Sequence, residues 1–415
     1  MSFVGLFGIL VLAWLLSADK RSVPWRVVGW GVALQLIFGW LVLKTAAGRT
    51  LFTWLNDVVI ALLGFTAEGT NFLFGSLASG QFTFAINVLP TIVFFSSLMT
   101  VLYHLGIMQK VVSVIAWAMQ RTMKTSGSET LSASANIFVG QTEAPLVIAP
   151  FVSKMTMSEL NAVMVGGFAT VAGGVMAAYV GMLQKVFPDI AGHLIAASVM
   201  SAPAALVVAK VMLPEKEESM TAGHVTLDVE RVDVNVIDAA VRGAAEGAKL
   251  AINIGAMLLA FIALVALLNA LLGVPVDIYN HLAGLEGADA WVPLKLQDIL
   301  GWLFWPLAFL MGVPVHECAM VGTLLGEKIV LNEFVAYLHL GQWLEEGRAL
   351  SEKSILIVTY ALCGFANFSS IAIQIGGIGS IAPERRHDLS KLGLRAMIGG
   401  MLAACMTATV AGMLF

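Results

Sequence analysis

The chain has 415 residues, of which 59% are hydrophobic and 12% charged, with a net charge of −4. A soluble domain carries roughly 25% charged residues, so this balance speaks against a soluble enzyme and for a polytopic protein in a lipid bilayer. Slight acidity gives no case for nucleic acid as a partner. The three cysteines (Cys318, Cys363, Cys405) lack paired spacing and read as packing residues.

The opening stretch, "MSFVGLFGILVLAWLLSADKRSVPWR", mimics a signal peptide, but Lys20, Arg21 and Arg26 follow the apolar run instead of preceding it. It is predicted to be a retained first span. A helix needs about 20 apolar residues to cross a bilayer. Uncharged runs of that order predict spans at 2–17, 27–43, 85–106, 160–184, 191–211, 250–273, 354–383 and 396–415. Lys and Arg concentrate in 18–26, 107–127, 210–249 and 384–395. Eight alternating spans place all four on one face, which the positive-inside rule makes cytoplasmic. The expected setting is the cell (inner) membrane, with both termini outside the cytoplasm.

Two apolar regions do not fit that count. Residues 128–154 and 314–345 are too long for loops, yet polar and Gly or Pro residues break each midway. They read as re-entrant hairpins, since non-helical backbone at that depth must be buried or line a cavity. Residues 1–84 then hold N-terminal spans and an interfacial region. A first repeat covers 85–211, a cytoplasmic linker 212–249 and a second repeat 250–415, inverted relative to the first. Such repeats with broken segments at matching places point to a transporter site near the midplane. Within the first repeat, 107–124 reads as an interfacial amphipathic helix, and the linker holds a short period-2 piece at 232–236.

The first hairpin turn, "NIFVGQTEAP", gathers Asn136, Gln141, Thr142 and Glu143. A charge at the membrane centre costs about 2.5–3.5 kcal/mol on insertion scales, so such residues usually face a cavity and are functional. A headgroup-level helix cap is the structural alternative for Glu143. In "FATVAGGVMAAYVGM", Gly173 and Gly174 with Thr170 could unwind a helix and offer oxygen ligands to a small cation, or simply pack against a neighbour. In the second hairpin, "GEKIVLNEFVAYLHL", the neighbours Glu327 and Lys328 cannot face each other on a helix. Glu333 is therefore left for a ligand, unless it marks a water-exposed end. Phe365, Asn367 and Ser370 in "CGFANFSSIAIQIGGIG" suit a sugar's hydroxyls and a ring, or ordinary packing. No histidine has metal-ligand spacing and no phosphate loop is present. A channel would need a continuous polar stripe and an intramembrane enzyme a spaced acid–base or metal pair, and neither is found.

Together, "GQTEAPLV", "VLNEFVAY" and "CGFANFSSIAIQIGGIG" resemble the concentrative nucleoside transporter family, in the family's order and from about residue 85 to the C-terminus. The resemblance implies an all-α homotrimer with eight transmembrane helices and two re-entrant hairpins, divided into scaffold and transport domains. It would import nucleosides such as uridine by an elevator movement, coupled to sodium or, in some relatives, to protons. By motif match, Gln141, Thr142 and Glu143 would face the base, with Val175 and Phe365 lining its pocket. Glu333, Asn367 and Ser370 would hold the ribose. The family's sodium site maps onto Asn136, Val139, Thr170 and Val171. No enzymatic cofactor is implied.

Overall fold

The computed structural model describes residues 2–78, 83–221, 233–285, 291–347 and 350–415, and among these it is helical throughout with no strand. In lipid every backbone polar group must be paired internally, which a helix does within one segment.

Three helices open the chain: α1 (Ser2–Leu15), α2 (Trp25–Lys44) and α3 (Ala46–Phe74). Only the extended Thr45 separates α2 from α3, and its hydroxyl caps α3 by accepting from Gly48 N at 2.9 Å. A short α4 (Phe84–Asn87) leads into α5 (Leu89–His104) and α6 (Ile107–Met123). Next come α7 (Gly127–Ala135), a turn and α8 (Ala149–Val152). A helix in two pieces follows, α9 (Met157–Ala169) and α10 (Gly173–Leu183), then α11 (Ile190–Met212).

The second half runs through α12 (Val236–Ala283), α13 (Leu296–Met311), α14 (Cys318–Val330) and α15 (Glu333–Glu345). It ends with another divided helix, α16 (Glu352–Leu362) and α17 (Phe368–Ile381), and with α18 (Arg386–Leu414). The order of helix, helix, two arms around a turn, divided helix and long helix therefore occurs twice.

Among the described residues, seven helices or helix pairs are long and apolar enough to cross a membrane, and six of them coincide with expected spans. The seventh, Ala46–Leu77, was not expected as a span, because Arg49, Asp57 and Glu68 interrupt its apolar run. The first expected span forms a helix of only 14 residues, and 354–383 is split into helices of 11 and 14. The period-2 piece forms no strand over 233–236, where α12 already begins, while residue 232 lies outside the described residues.

Burial separates a core from a periphery. In their most apolar stretches, 89% of α11 is buried but only 11% of α12. α18 packs among α9, α11, α16 and α17. Small residues permit this closeness: a Cβ on Gly400 would collide with Phe168 of α9. On the periphery, a groove of about 500 Å³ runs between α3, α5 and α12, lined by Phe65, Leu73, Phe94 and Ile252 among others.

A polar clasp holds the base of the first pair of arms. Lys210 of α11 lies 2.7 Å from Glu129 of α7 and 3.2 Å from Glu215, and donates to Ser158 at 3.0 Å. Glu159 caps α9 by accepting from Thr156 N at 2.9 Å, while Thr156 Oγ1 accepts from Glu159 N. Nearby, Lys216 reaches Asp19 in the loop before α2 at 2.7 Å, and that hydrogen bond holds the Asp19 carboxyl down to about 2.

Candidate functional site

The two divided helices stop where they meet. α9 ends at Ala169 and α10 begins at Gly173, while α16 ends at Leu362 and α17 begins after Asn367. Gly364 adopts φ +131°, which side chains rarely tolerate, and a Cβ there would lie 2.7 Å from the Phe168 carbonyl oxygen. Each stop frees carbonyls on one side and N–H groups on the other, with partial charges to match. The first break falls at Thr170–Ala172, just before the glycine pair. Gly173 and Gly174 open α10, and Gly174 lets it pack against Ser96 and Ile92 of α5.

The turn after α7 closes over the first break. Gly173 N donates to Phe138 O at 3.0 Å. Gly167 permits the approach, since a Cβ there would lie 2.9 Å from the Gln141 Cβ and 2.8 Å from Gln374 Nε2. Both polar atoms of the Asn136 side chain are fully buried without a hydrogen-bond partner. Thr170 is buried too, its hydroxyl donating to Gly166 O at 2.9 Å, and Gly166 faces the Asn136 amide. Val171 is buried and Val139 half-buried. These oxygens suit a small, hard cation of sodium's kind.

From that turn a continuous hydrogen-bonded chain crosses to the second half. Gln374 Nε2 donates to Gln141 Oε1 at 3.0 Å and to Met164 O at 3.1 Å, and Gln141 Nε2 donates to Ser370 Oγ at 3.2 Å. Ser370 N donates to Asn367 Oδ1 at 2.9 Å, which caps α17. Asn367 Nδ2 donates to one oxygen of Glu333 and the Tyr179 hydroxyl to the other, each at 2.9 Å. Asn332 caps α15 through Val335 N at 3.0 Å and so sets Glu333 at the start of that helix.

The remaining candidates lie around this chain. Thr142 rests against Gly377 of α17, and Val175 is buried one turn before Tyr179. Phe365 is half-buried against the core. Glu143 is exposed and takes no part in this chain: its carboxylate lies over Gly140 of the same turn, with Tyr103 of α5 and Glu246 of α12 as its electrostatic neighbours. Glu327 and Lys328 indeed part company: Glu327 meets His339 at 2.9 Å and Lys328 donates to Ala361 O at 2.8 Å. Sequence reasoning does not single out Tyr179 or Gln374. Their only advance signal is a polar group four residues after Val175 and Ser370 respectively.

Comparisons with known proteins bear directly on this geometry. A family model described as "Na+ dependent nucleoside transporter C-terminus" matches residues 193–412, and its N-terminal counterpart matches 4–77. One described as "Nucleoside recognition" matches 85–186. The chain belongs to the Na+-dependent nucleoside transporter family. It is a multi-pass membrane transporter, not an enzyme.

Among relatives of this family, an uncharacterized transporter of Haemophilus influenzae is 45% identical, covering 99% of this chain and 97% of that one. Sodium/nucleoside cotransporter 1 of Mus musculus is 44% identical over all of this chain, which spans 64% of the mouse protein. Among solved structures, CNTnw in an inward-facing substrate-bound state is 43% identical with a TM-score of 0.89, covering 100% and 98% of the two chains. A substituted CNTnw in an outward-facing state is 42% identical with a TM-score of 0.90, covering 100% and 97%.

Proposed function

We propose that this member imports nucleosides by sodium symport, with an elevator movement of the core against the periphery. The observation that carries it is the hydrogen-bonded chain from Gln374 through Gln141, Ser370 and Asn367 to Glu333 and Tyr179. It joins both turns and both divided helices at one place. A carboxylate oxygen accepts about two hydrogen bonds, so each oxygen of Glu333 keeps capacity for a ribose hydroxyl beside Asn367 and Ser370. Gln141, Thr142 and Glu143 would meet the base directly or through water, with Val175 and Phe365 along its ring. Sodium would sit at Asn136 and Thr170, with backbone carbonyls of Val139 and Val171, a reading supported by the orphaned Asn136 amide.

The twofold order of elements supports two inverted repeats with re-entrant hairpins at 128–154 and 314–345. The contrast between the buried α11 and the exposed α12 supports a moving core on a fixed scaffold. Family likeness supports a homotrimer, for which the exposed apolar face of α12 and the groove beside it offer a contact surface. Energetics allow concentrative import. One cation entering through about 100 mV supplies about 2.3 kcal/mol, and at about 1.4 kcal/mol per decade that sustains roughly fifty-fold accumulation of a neutral solute. The test is uptake of labelled uridine into proteoliposomes. Saturable uptake driven by an inward sodium gradient is expected, and non-saturable flux would favour a channel.

A further inference from the structure

We propose that the Lys328 ammonium is a tethered cation, holding in the second half of the chain the position that sodium takes in the first. The inference rests on the proposed cation role of Asn136 and Thr170. The first site lies between the end of α7 and the end of α9. Its counterparts in the repeated order are the ends of α14 and α16, and Lys328 bridges those two.

The correspondence extends to single residues. Asn136 caps α7 and begins "NIFV" before the first turn, while Lys328, two residues before the end of α14, begins "KIVL" before the second, and its longer side chain spans that offset. From there Lys328 Nζ donates to Ala361 O at 2.8 Å, in the last turn of α16. Thr170 follows the end of α9 as Cys363 follows the end of α16. Both places expose helix C-terminal carbonyls, whose partial negative charge favours a cation.

Lys328 is placed where an ion would sit in that setting. Its side chain is wholly buried, and no described carboxylate pairs with it within 4 Å. Its neighbour Glu327 turns to His339 instead. Ammonium and sodium can each be held by carbonyl oxygens, but the lysine is covalently attached and cannot dissipate a gradient. One half would thus couple to the sodium gradient while the other carries a tethered group that steadies its break. The expected coupling is one sodium per nucleoside.

Equilibrium binding of ²²Na to the purified full-length protein tests this. Wild type should bind one sodium per protomer. Lys328→Asn, which places the residue type of the first site in the second, should bind two, with a steeper sodium dependence of uridine binding. Lys328→Met, which supplies neither charge nor oxygen, should weaken uridine binding roughly tenfold or more even in saturating sodium. Two sodium ions in wild type would overturn the inference, and this count needs no variant to fold. So would a folded Lys328→Asn that binds one sodium and retains wild-type uridine affinity. A wild type that binds uridine but no sodium would instead sink the sodium reading beneath it.

Discussion

Gln141 in the turn after α7 donates to Ser370 on α17 at 3.2 Å, joining segments 229 residues apart. Ser370 in turn binds the cap of its own helix, so Gln141 stands between Gln374 and Ser370, separated from Glu333 by Ser370 and Asn367. Gln141→Ala should therefore change the ranking of purine and pyrimidine nucleosides as competitors of labelled uridine, while free ribose and free bases remain poor. An unchanged ranking would remove Gln141 from the base side.

Glu333 and Asn367 are proposed to hold the sugar. A site built to hydrogen-bond a hydroxyl rejects an analogue lacking it, because its buried groups are left unpaired. Deoxyuridine should bind roughly 1–3 kcal/mol more weakly than uridine, and uracil more weakly still. Glu333→Gln keeps size but not charge and should lower affinity for uridine far more than for uracil. Uracil competing as well as uridine in wild type would refute the ribose assignment of Glu333, Asn367 and Ser370.

Sodium should be the driving ion. Asn136→Ala removes an oxygen without removing a membrane helix, so the protein should insert normally and need more sodium for half-maximal uptake. Equal uptake in sodium and choline buffers at fixed pH would favour proton coupling.

The clasp under the first pair of arms should matter for stability. Removing one partner of a buried ion pair typically costs about 3–5 kcal/mol, whereas replacing both with apolar residues can be neutral. Lys210→Met should lower the unfolding temperature in detergent sharply, and adding Glu129→Leu should restore much of the loss. A single variant that melts like wild type would show that Glu215 and Ser158 bear no consequence of losing the lysine.

Assembly is expected to be trimeric. Native mass measurement and cross-linking through a cysteine at Ile252, beside the α12 groove, should both report three copies in mild detergent. Monomers and dimers alone would count against it.

Much of this architecture was legible because apolar run length is a local property. The stretches that became α2, α5, α11, α12 and α18 needed no knowledge of their neighbours. The break in α9–α10 was legible only approximately. Gly173 and Gly174 marked the neighbourhood, but the stop falls at Thr170, where the Phe138 carbonyl and the Gly364 backbone engage it from other parts of the chain. Tyr179 stayed hidden for the same reason, since its partner Glu333 lies 154 residues away. Gln141, Glu333, Asn367 and Ser370 stood out because polar groups are costly in so apolar a chain. Their proposed division into base and ribose contacts came from family likeness, not from spacing.

The place of α18 has a consequence for biogenesis. At about 1.5 Å per residue, α9 spans roughly 20 Å and α10 less, so neither alone covers a hydrocarbon layer of about 30 Å. As they leave the ribosome, these half-helices carry Asn161 and Thr170 into the membrane before most of their eventual neighbours exist. The slot between α9, α11 and α16 is filled only by residues 386–414, which are synthesised after all three. The interior of this transporter is thus completed only once α18 has been made. Until then a chaperone, lipid or water must shield the open face.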